Sequence, residues 1–308
     1  MLTDLTTRLL ELVEAGEIYV ILLPVYVLLL GGERVAHFVF EKDRRWDDRD
    51  AFTNVVITGV FLAVDVFVGA VLPVAALFWL YENVRIATLG FGPVGWLIAF
   101  LAYDLAWYID HRIAHRTGLF WAFHHVHHSS NEYNMTVASR GFVLDNTLLT
   151  RPFFFVLPVL GMSPLHLLVV KLVTNVYGIA QHTRLVPKLP VLDAVLATPS
   201  NHRVHHGSDE KYLDRNYGEV LILWDRLFGT YQREEEEPTY GVVDRLESYN
   251  VVTIETAGLR WFARKWRSMP TWADRLRCLV YPPGWYPDGF ATPAEAPQSA
   301  AITPTAST

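Results

Sequence analysis

The sequence predicts an all-α protein, a multi-pass helical membrane domain of about four spans, or three plus a helical hairpin, with a histidine-rich cap on the cytoplasmic side. Three observations lead there. Of the 308 residues 51% are apolar and 19% charged, the latter below the roughly 25% of an ordinary soluble domain, and the mean hydropathy is +0.20. The apolar residues gather in four blocks within the first 180 positions. Twelve histidines stand against one cysteine, and most of the histidines come in spaced groups. This composition excludes a disordered chain, a fibre and a disulfide scaffold. A net charge of −6 carries no basic footprint for nucleic acid.

The first block, Ile18 to Leu30, is interrupted only by Pro24 and tyrosines and stops at Gly31-Gly32-Glu33, which is short for a span. Its leading flank holds Asp4, Glu11, Glu14 and Glu17 against Arg8, the opposite of a signal peptide's basic start. Val55 to Leu80 is 26 residues with Asp65 as its one ionisable group, long enough to cross with tilt. Val94 to Ile109 is the third block and carries Asp104. Pro152 to Ala180, with Lys171 inside it, is broken by Gly161-Met162-Ser163-Pro164. It reads as a hairpin of two short helices, each below the ~20 residues of a full span.

The loops set the orientation. Residues 31–52 carry Arg34, Lys42, Arg44, Arg45 and Arg49, whereas residues 81–93 carry only Arg85. The positive-inside rule places the first loop in the cytoplasm and the second outside. The hairpin leaves and returns, so residues 182–308 are expected in the cytoplasm as well. The chain divides into an N-terminal segment 1–16, one membrane domain with its cap over 17–287, and a tail 288–308. The Ala/Pro/Thr/Ser tail lacks periodicity and is expected to be disordered. Glu234–Glu237 reads as a solvated charge run.

The histidines carry the chemistry. His111 and His115 form H-x3-H; His124, His127 and His128 form H-x2-H-H; His202, His205 and His206 repeat that spacing; His182 follows the hairpin. At about 100° per helical residue, positions i, i+3 and i+4 share a face, so each group presents its rings together, and His125 points away from its neighbours. His37, His125 and His166 read as ordinary core or surface residues. The other nine all fall where helices emerge on one side of the membrane. One zinc takes about four ligands, so eight or nine imidazoles indicate two ions. Imidazole suits iron, zinc, copper and nickel alike. A haem would use one or two of these rings, and no H-E-x-x-H motif is present. Asp104, Tyr108, His111 and His115 share one helical face, which makes Asp104 a candidate to accept a hydrogen bond from the second ring N–H of a ligand histidine or to hold a polar partner near the site.

The segments HRIAH (111–115), WAFHHVHHSSNEYN (121–134), QHTRLVPKLP (181–190) and TPSNHRVHHGSDEKYLDRNYGEVLILWDRLFGTY (198–231) together closely resemble the fatty acid hydroxylase/sterol desaturase superfamily of membrane non-haem di-iron enzymes. They look most like the branch of the sterol C5-desaturase-like bacterial proteins and the alkylglycerol monooxygenases. The resemblance covers roughly residues 45–245, and the eight-residue gap between His115 and His124 fits this superfamily rather than the acyl-CoA desaturases.

The resemblance implies metal ligands at His111, His115, His124, His127, His128, His182, His202, His205 and His206. It implies two iron ions, which zinc can replace on purification. It further implies hydroxylation or desaturation of a C–H bond of a fatty acyl lipid, sterol or ether lipid with O2, and no separate catalytic acid or base. The electrons must come from a cytochrome b5-like or ferredoxin-like donor, because the chain has no haem motif or cysteine cluster. The stretch Trp224 to Thr230 resembles a family signature, with an Asp–Arg contact expected under the third histidine group. The turns 131–134 and 214–218 are expected to be structural. Lys188, Arg112 and Arg116 are candidates to meet headgroups or a redox partner. The sequence departs from the family at Arg116, where alkylglycerol monooxygenases have Glu, and at Asn201, where relatives often have His. A zinc-dependent membrane hydrolase and a non-catalytic metal-binding protein are the alternative readings of the same residues.

Overall fold

The computed structural model describes residues 17–40, 46–64, 71–144 and 152–290. Among these the chain is helical, with two isolated bridges and no strand. The helices are α1 (Glu17–Phe40), α2 (Asp48–Val64), α3 (Val71–Asn83), α4 (Pro93–Arg116), α5 (Gly118–His128), α6 (Val156–Val159), α7 (Pro164–Gln181), α8 (Pro199–His205), α9 (Leu223–Leu227), α10 (Val251–Ser268) and α11 (Trp272–Val280). The N-terminal segment 1–16, Asp65 and residues 291–308 of the expected tail lie outside the described residues.

The first block does not stop at its glycines. Helix α1 runs through Gly31-Gly32 to Phe40, because a helical glycine costs only about 1 kcal/mol and the apolar run resumes at Val35. Leu23–Phe40 is the one stretch among the described residues long and apolar enough to cross a membrane. Arg34 therefore belongs to the helix rather than to the loop, and it pairs with Asp48 at 2.9 Å. The 55–80 block falls on α2 and α3.

The fourth block is the expected hairpin. Its short arm passes from Pro152–Phe155 into α6, and its long arm is α7. Gly161 turns the chain at φ +106, a region that only glycine enters without strain. The Ser163 hydroxyl then accepts from the His166 amide and starts α7. Ala99, Tyr103 and Ala106 of α4 pack on Leu157, Met162, Leu167 and Val170 of the hairpin. A second core joins Ile57 of α2, Val126 of α5, Phe142 and Ile254 of α10. Helices α5 and α10 cross closely. A Cβ at Gly258 would meet the Ala122 carbonyl at 2.2 Å, so only glycine permits the approach.

Charged groups stitch these layers from inside. Arg140, 1% exposed, donates to Asp50 at 3.2 Å, to Asn54 at 2.9 Å and to Ser129 at 2.8 Å. Helix α2 is thereby tied to the segment after α5. The acidic run 234–237 is not uniformly solvated. Glu234 is buried, and both of its oxygens accept from Arg203 at 2.8 Å, whereas Glu235 and Glu236 are exposed and meet Lys211. The run touches the underside of α8, and Arg203 draws one carboxylate in.

Candidate metal centre

Helices α4, α5 and α8 and the end of α7 bring all nine singled-out histidines to one buried place. They form two sets, His111, His115, His124, His128 and His205 in one, and His127, His182, His202 and His206 in the other. Within each set the ligand nitrogens lie within 4.8 Å of one another. The two H-x2-H-H groups are used in mirrored fashion. His124 and His128, one helical turn apart, join the first set and His127 the second. His202 and His206 join the second and His205 the first. The sets adjoin, with the rings of His128 and His206 stacked at 4.3 Å.

Backbone carbonyls hold the rings. His111 Nδ1 bonds Tyr217 O at 2.8 Å, His127 Nδ1 bonds Arg140 O at 3.1 Å, His182 Nδ1 bonds Gly178 O at 2.7 Å and His205 Nδ1 bonds Arg215 O at 2.9 Å. A carbonyl only accepts, so each Nδ1 carries the proton and each Nε2 turns a lone pair inward. The inner nitrogens then face one another. Nε2–Nε2 separations are 3.1 Å for His111–His124, His124–His128 and His182–His206, and 3.0 Å for His202–His182. His115 Nε2 and His205 Nε2 are buried and make no hydrogen bond. The four carbonyl-held rings offer lone pairs only, His182 Nε2 faces both His202 and His206 with a single lone pair, and His115 Nε2 and His205 Nε2 have no partner. Proton sharing between rings therefore does not satisfy the cluster, whereas a cation in each set would. Ring nitrogens held by carbonyls on their far side are the usual dress of metal-bound histidine. The residues present fit two metal ions.

Burial, followed by the neighbouring imidazoles, pushes the rings of His124, His128 and His202 well below the ordinary histidine range, and that of His206 likewise. His205 is lowered to about 3, mainly by burial. Protons therefore do not compete for these nitrogens at neutral pH.

A scaffold of buried polar groups aims the carbonyls. Asp225 accepts from the Tyr217 and Gly218 amides at 2.8 Å and from Thr230 Oγ1 at 2.7 Å. It thus fixes the peptide that holds His111, and the arginine whose charge it feels is Arg112, while Arg226 turns instead to Tyr231 and Asp193 O. Asp104 accepts from the Val220 and Leu221 amides at 2.9 and 3.1 Å and from Trp224 Nε1 at 2.9 Å. Its partners are the chain after the third histidine group, not a histidine ring, because residues 220–224 reach it before any ring does. Asp214 and Asn216, both in the left-handed region at φ 59 and 55, shape the turn. Asp214 lies 3.9 Å from His115 Nδ1 and 3.0 Å from Arg116. Asn201 donates to Asp193 O and Leu196 O, and its carbonyl accepts from Asn216, so it braces α8. Arg112 donates to Tyr108 Oη and Lys188 to Glu235 O.

Sequence reasoning missed Arg140 and the Arg203–Glu234 pair. Arg203 also donates to Thr183 O and Val186 O, locking the loop of His182 to α8. Of the three histidines set aside, His125 packs at the α5–α10 crossing. His166 lies stacked on Phe91, and His37 lies beside Glu33 and Trp46. Beside the first set a cleft of about 170 Å³ is lined by His115, His128, His205, Trp121, Val242 and Trp261, among others.

The chain matches the fatty acid hydroxylase family model over residues 96–230. It is 30% identical to a human alkylglycerol monooxygenase over 86% of this chain and 59% of that protein. It is 28% identical to the Caenorhabditis elegans alkylglycerol monooxygenase over 87% of this chain and 55% of that protein. An ornithine lipid hydroxylase of Rhizobium tropici is 30% identical over 46% of this chain and 44% of that protein. No solved structure matches. The chain belongs to the fatty acid hydroxylase superfamily, in its alkylglycerol monooxygenase-like branch. It spans little more than half the length of the alkylglycerol monooxygenases it matches.

Proposed function

We propose that the chain is a membrane-bound di-iron oxygenase that uses O2 and two external electrons to hydroxylate a C–H bond of a lipid. The observation that carries this reading is the pair of imidazole sets, five and four, whose inner nitrogens converge. His111, His115, His124, His128 and His205 would hold one iron, and His127, His182, His202 and His206 the other. Two irons supply the electron chemistry needed to activate O2 toward an unactivated C–H bond. The protein's own contribution is order. The carbonyls of Tyr217, Arg140, Gly178 and Arg215 fix four of the rings, and burial keeps the set neutral. The cleft walls of Val242, Leu246 and Trp261 offer an apolar slot beside the first set for the reacting part of a lipid.

The membrane setting is supported by the apolar blocks and by α1; residues 94–109 of α4, shorter than a full crossing, are read as lying in the bilayer, with the histidines on the cytoplasmic side. The electrons arrive from a cytochrome b5-like or ferredoxin-like partner, since a single cysteine, Cys278, cannot hold an iron–sulfur cluster. The relatives named for alkylglycerols and for ornithine lipid point to a long-chain membrane lipid as substrate.

The test is lipid profiling under 18-O2 in a host expressing the wild-type chain or His127→Ala. The wild type is expected to give a lipid product carrying one labelled oxygen, absent in the variant. A product lighter by two hydrogens would mean desaturation. Identical profiles for the two chains would contradict oxygenase activity, and a hydrolysis product formed without O2 would favour a zinc hydrolase.

A further inference from the structure

Residues 189–198 and 219–228 form one unit beside α4. An antiparallel bridge pairs Leu196 with Leu221. The Ala197 amide donates to Val220 O at 2.8 Å and the Ile222 amide to Val195 O at 3.1 Å. Asp193 accepts from the Leu189 amide and from Thr198 Oγ1. The unit is fastened to α4 at two points. Asp104, fully buried, takes the Val220 and Leu221 amides and the Trp224 indole. One turn on, Phe228 stacks on Tyr108 at 5.3 Å, and Tyr108 Oη meets Thr230 Oγ1 at 3.0 Å.

The outer face of this unit is apolar and uncovered. Val191 is 83% and Leu227 70% exposed, and Leu192, Val195, Leu223 and Phe228 are each between 43% and 48% exposed. The same stripe of α4 explains where that face points. Leu97, Leu101, Asp104 and Tyr108 fall on one side of the helix at steps of four, three and four residues. Leu97 and Leu101 are exposed; the unit begins to cover the stripe at Asp104. The exposed apolar residues of α4 thus lead, along one face of the helix, to the point at which the unit is fastened. Asp104 lies roughly 16 Å along α4 from Pro93, about half the ~30 Å thickness of a hydrocarbon core.

We propose that this unit dips into the bilayer, its six apolar side chains in contact with lipid hydrocarbon on the cap side of the membrane. The proposal rests on the membrane reading of α4 given above. Non-helical backbone at membrane depth must satisfy its polar groups within the protein. The buried acid at Asp104 does this for the two amides of 220–221, and the bridge does it for 195, 197 and 222. Arg226, the charged residue on this face, folds its guanidinium onto Tyr231 at 3.8 Å and donates to Asp193 O. The third histidine group is thus anchored at both ends by chain that sits in lipid. The floor of the metal site is a wall that a lipid meets from within the bilayer.

The test uses the full chain in nanodiscs, with single cysteines at Leu227, Val191, Leu97 and Glu235 in a Cys278→Ser background, each carrying an environment-sensitive fluorophore. Should Cys278→Ser not fold, the buried Cys278 is kept and its unlabelled background subtracted. Doxyl-labelled lipid is expected to quench the labels at Leu227 and Val191 several-fold more than that at Glu235, and aqueous iodide is expected to quench only Glu235. Iodide quenching at Leu227 equal to that at Glu235 would place the unit in water and overturn the proposal. Shielding from both quenchers would mean a second copy or another protein covers the face, which also overturns it. Lipid quenching at Leu97 without any at Leu227 would leave the membrane reading standing and remove only the unit. No lipid quenching at Leu97 would remove both.

Discussion

At the residue scale the two sets of imidazoles make separable predictions. His205 sits in the third histidine group but joins the set of His111. His205→Ala is expected to weaken that ion and spare the other, while His127→Ala does the reverse. Metal titration of the two variants checks this, and loss of both ions in either variant would mean that the sets are not independent. Asp225→Asn tests the scaffold. It weakens the hold on the Tyr217 peptide and is expected to cost about 10–100-fold in metal affinity, as removal of such outer supports does. Arg140→Leu leaves Asp50 buried without its cation and is expected to destabilise the protein by about 3–5 kcal/mol, read as a lowered unfolding midpoint in detergent. The nine histidines were legible in the sequence because their spacing repeats. Their division into five and four was not, since i+3 and i+4 share a helical face in projection and only the position of the facing helix separates them. Asp104 was legible as unusual, but its partners lie 116 or more positions away, beyond any local pattern.

At the element scale, the hairpin of residues 152–181 was legible because glycine, serine and proline punctuate an apolar run. The end of α1 was not, because paired glycines weaken a helix without ending it when apolar residues follow. The α5–α10 crossing gave no sequence signal beyond a single glycine. Gly258→Ala is expected to cost about 1–3 kcal/mol, more than the ~1 kcal/mol that alanine returns in helix propensity, because its Cβ would meet the Ala122 carbonyl at 2.2 Å. A thermal melt of the variant checks this; an unchanged or raised midpoint would show that α10 can retreat freely from the histidine helix.

At the scale of the whole molecule, the cap is a box of imidazoles held neutral by burial. In the unfolded chain these rings take protons near pH 6.5. In the folded chain His124, His128, His202 and His206 do so only far lower, and His205 only at about 3. Unfolding below about pH 6.5 therefore takes up protons, and the stability of the metal-free protein falls as the pH falls. Its melting temperature is expected to be level above pH 7 and to decline through pH 6 and 5; a flat profile would mean that the rings titrate normally. Bound metal adds stability in proportion to its affinity, so chelation should lower the midpoint at neutral pH. The class of the molecule was legible in its histidine spacing, while the way residues 182–250 wrap the site was not, since that stretch is built of turns around two short helices and the buried Arg203–Glu234 pair rather than long periodic elements. The central claim is that the five-and-four arrangement is a binuclear centre. The most direct measurement is metal content per chain after anaerobic loading of the purified protein with iron, with two ions expected and one or none contradicting it.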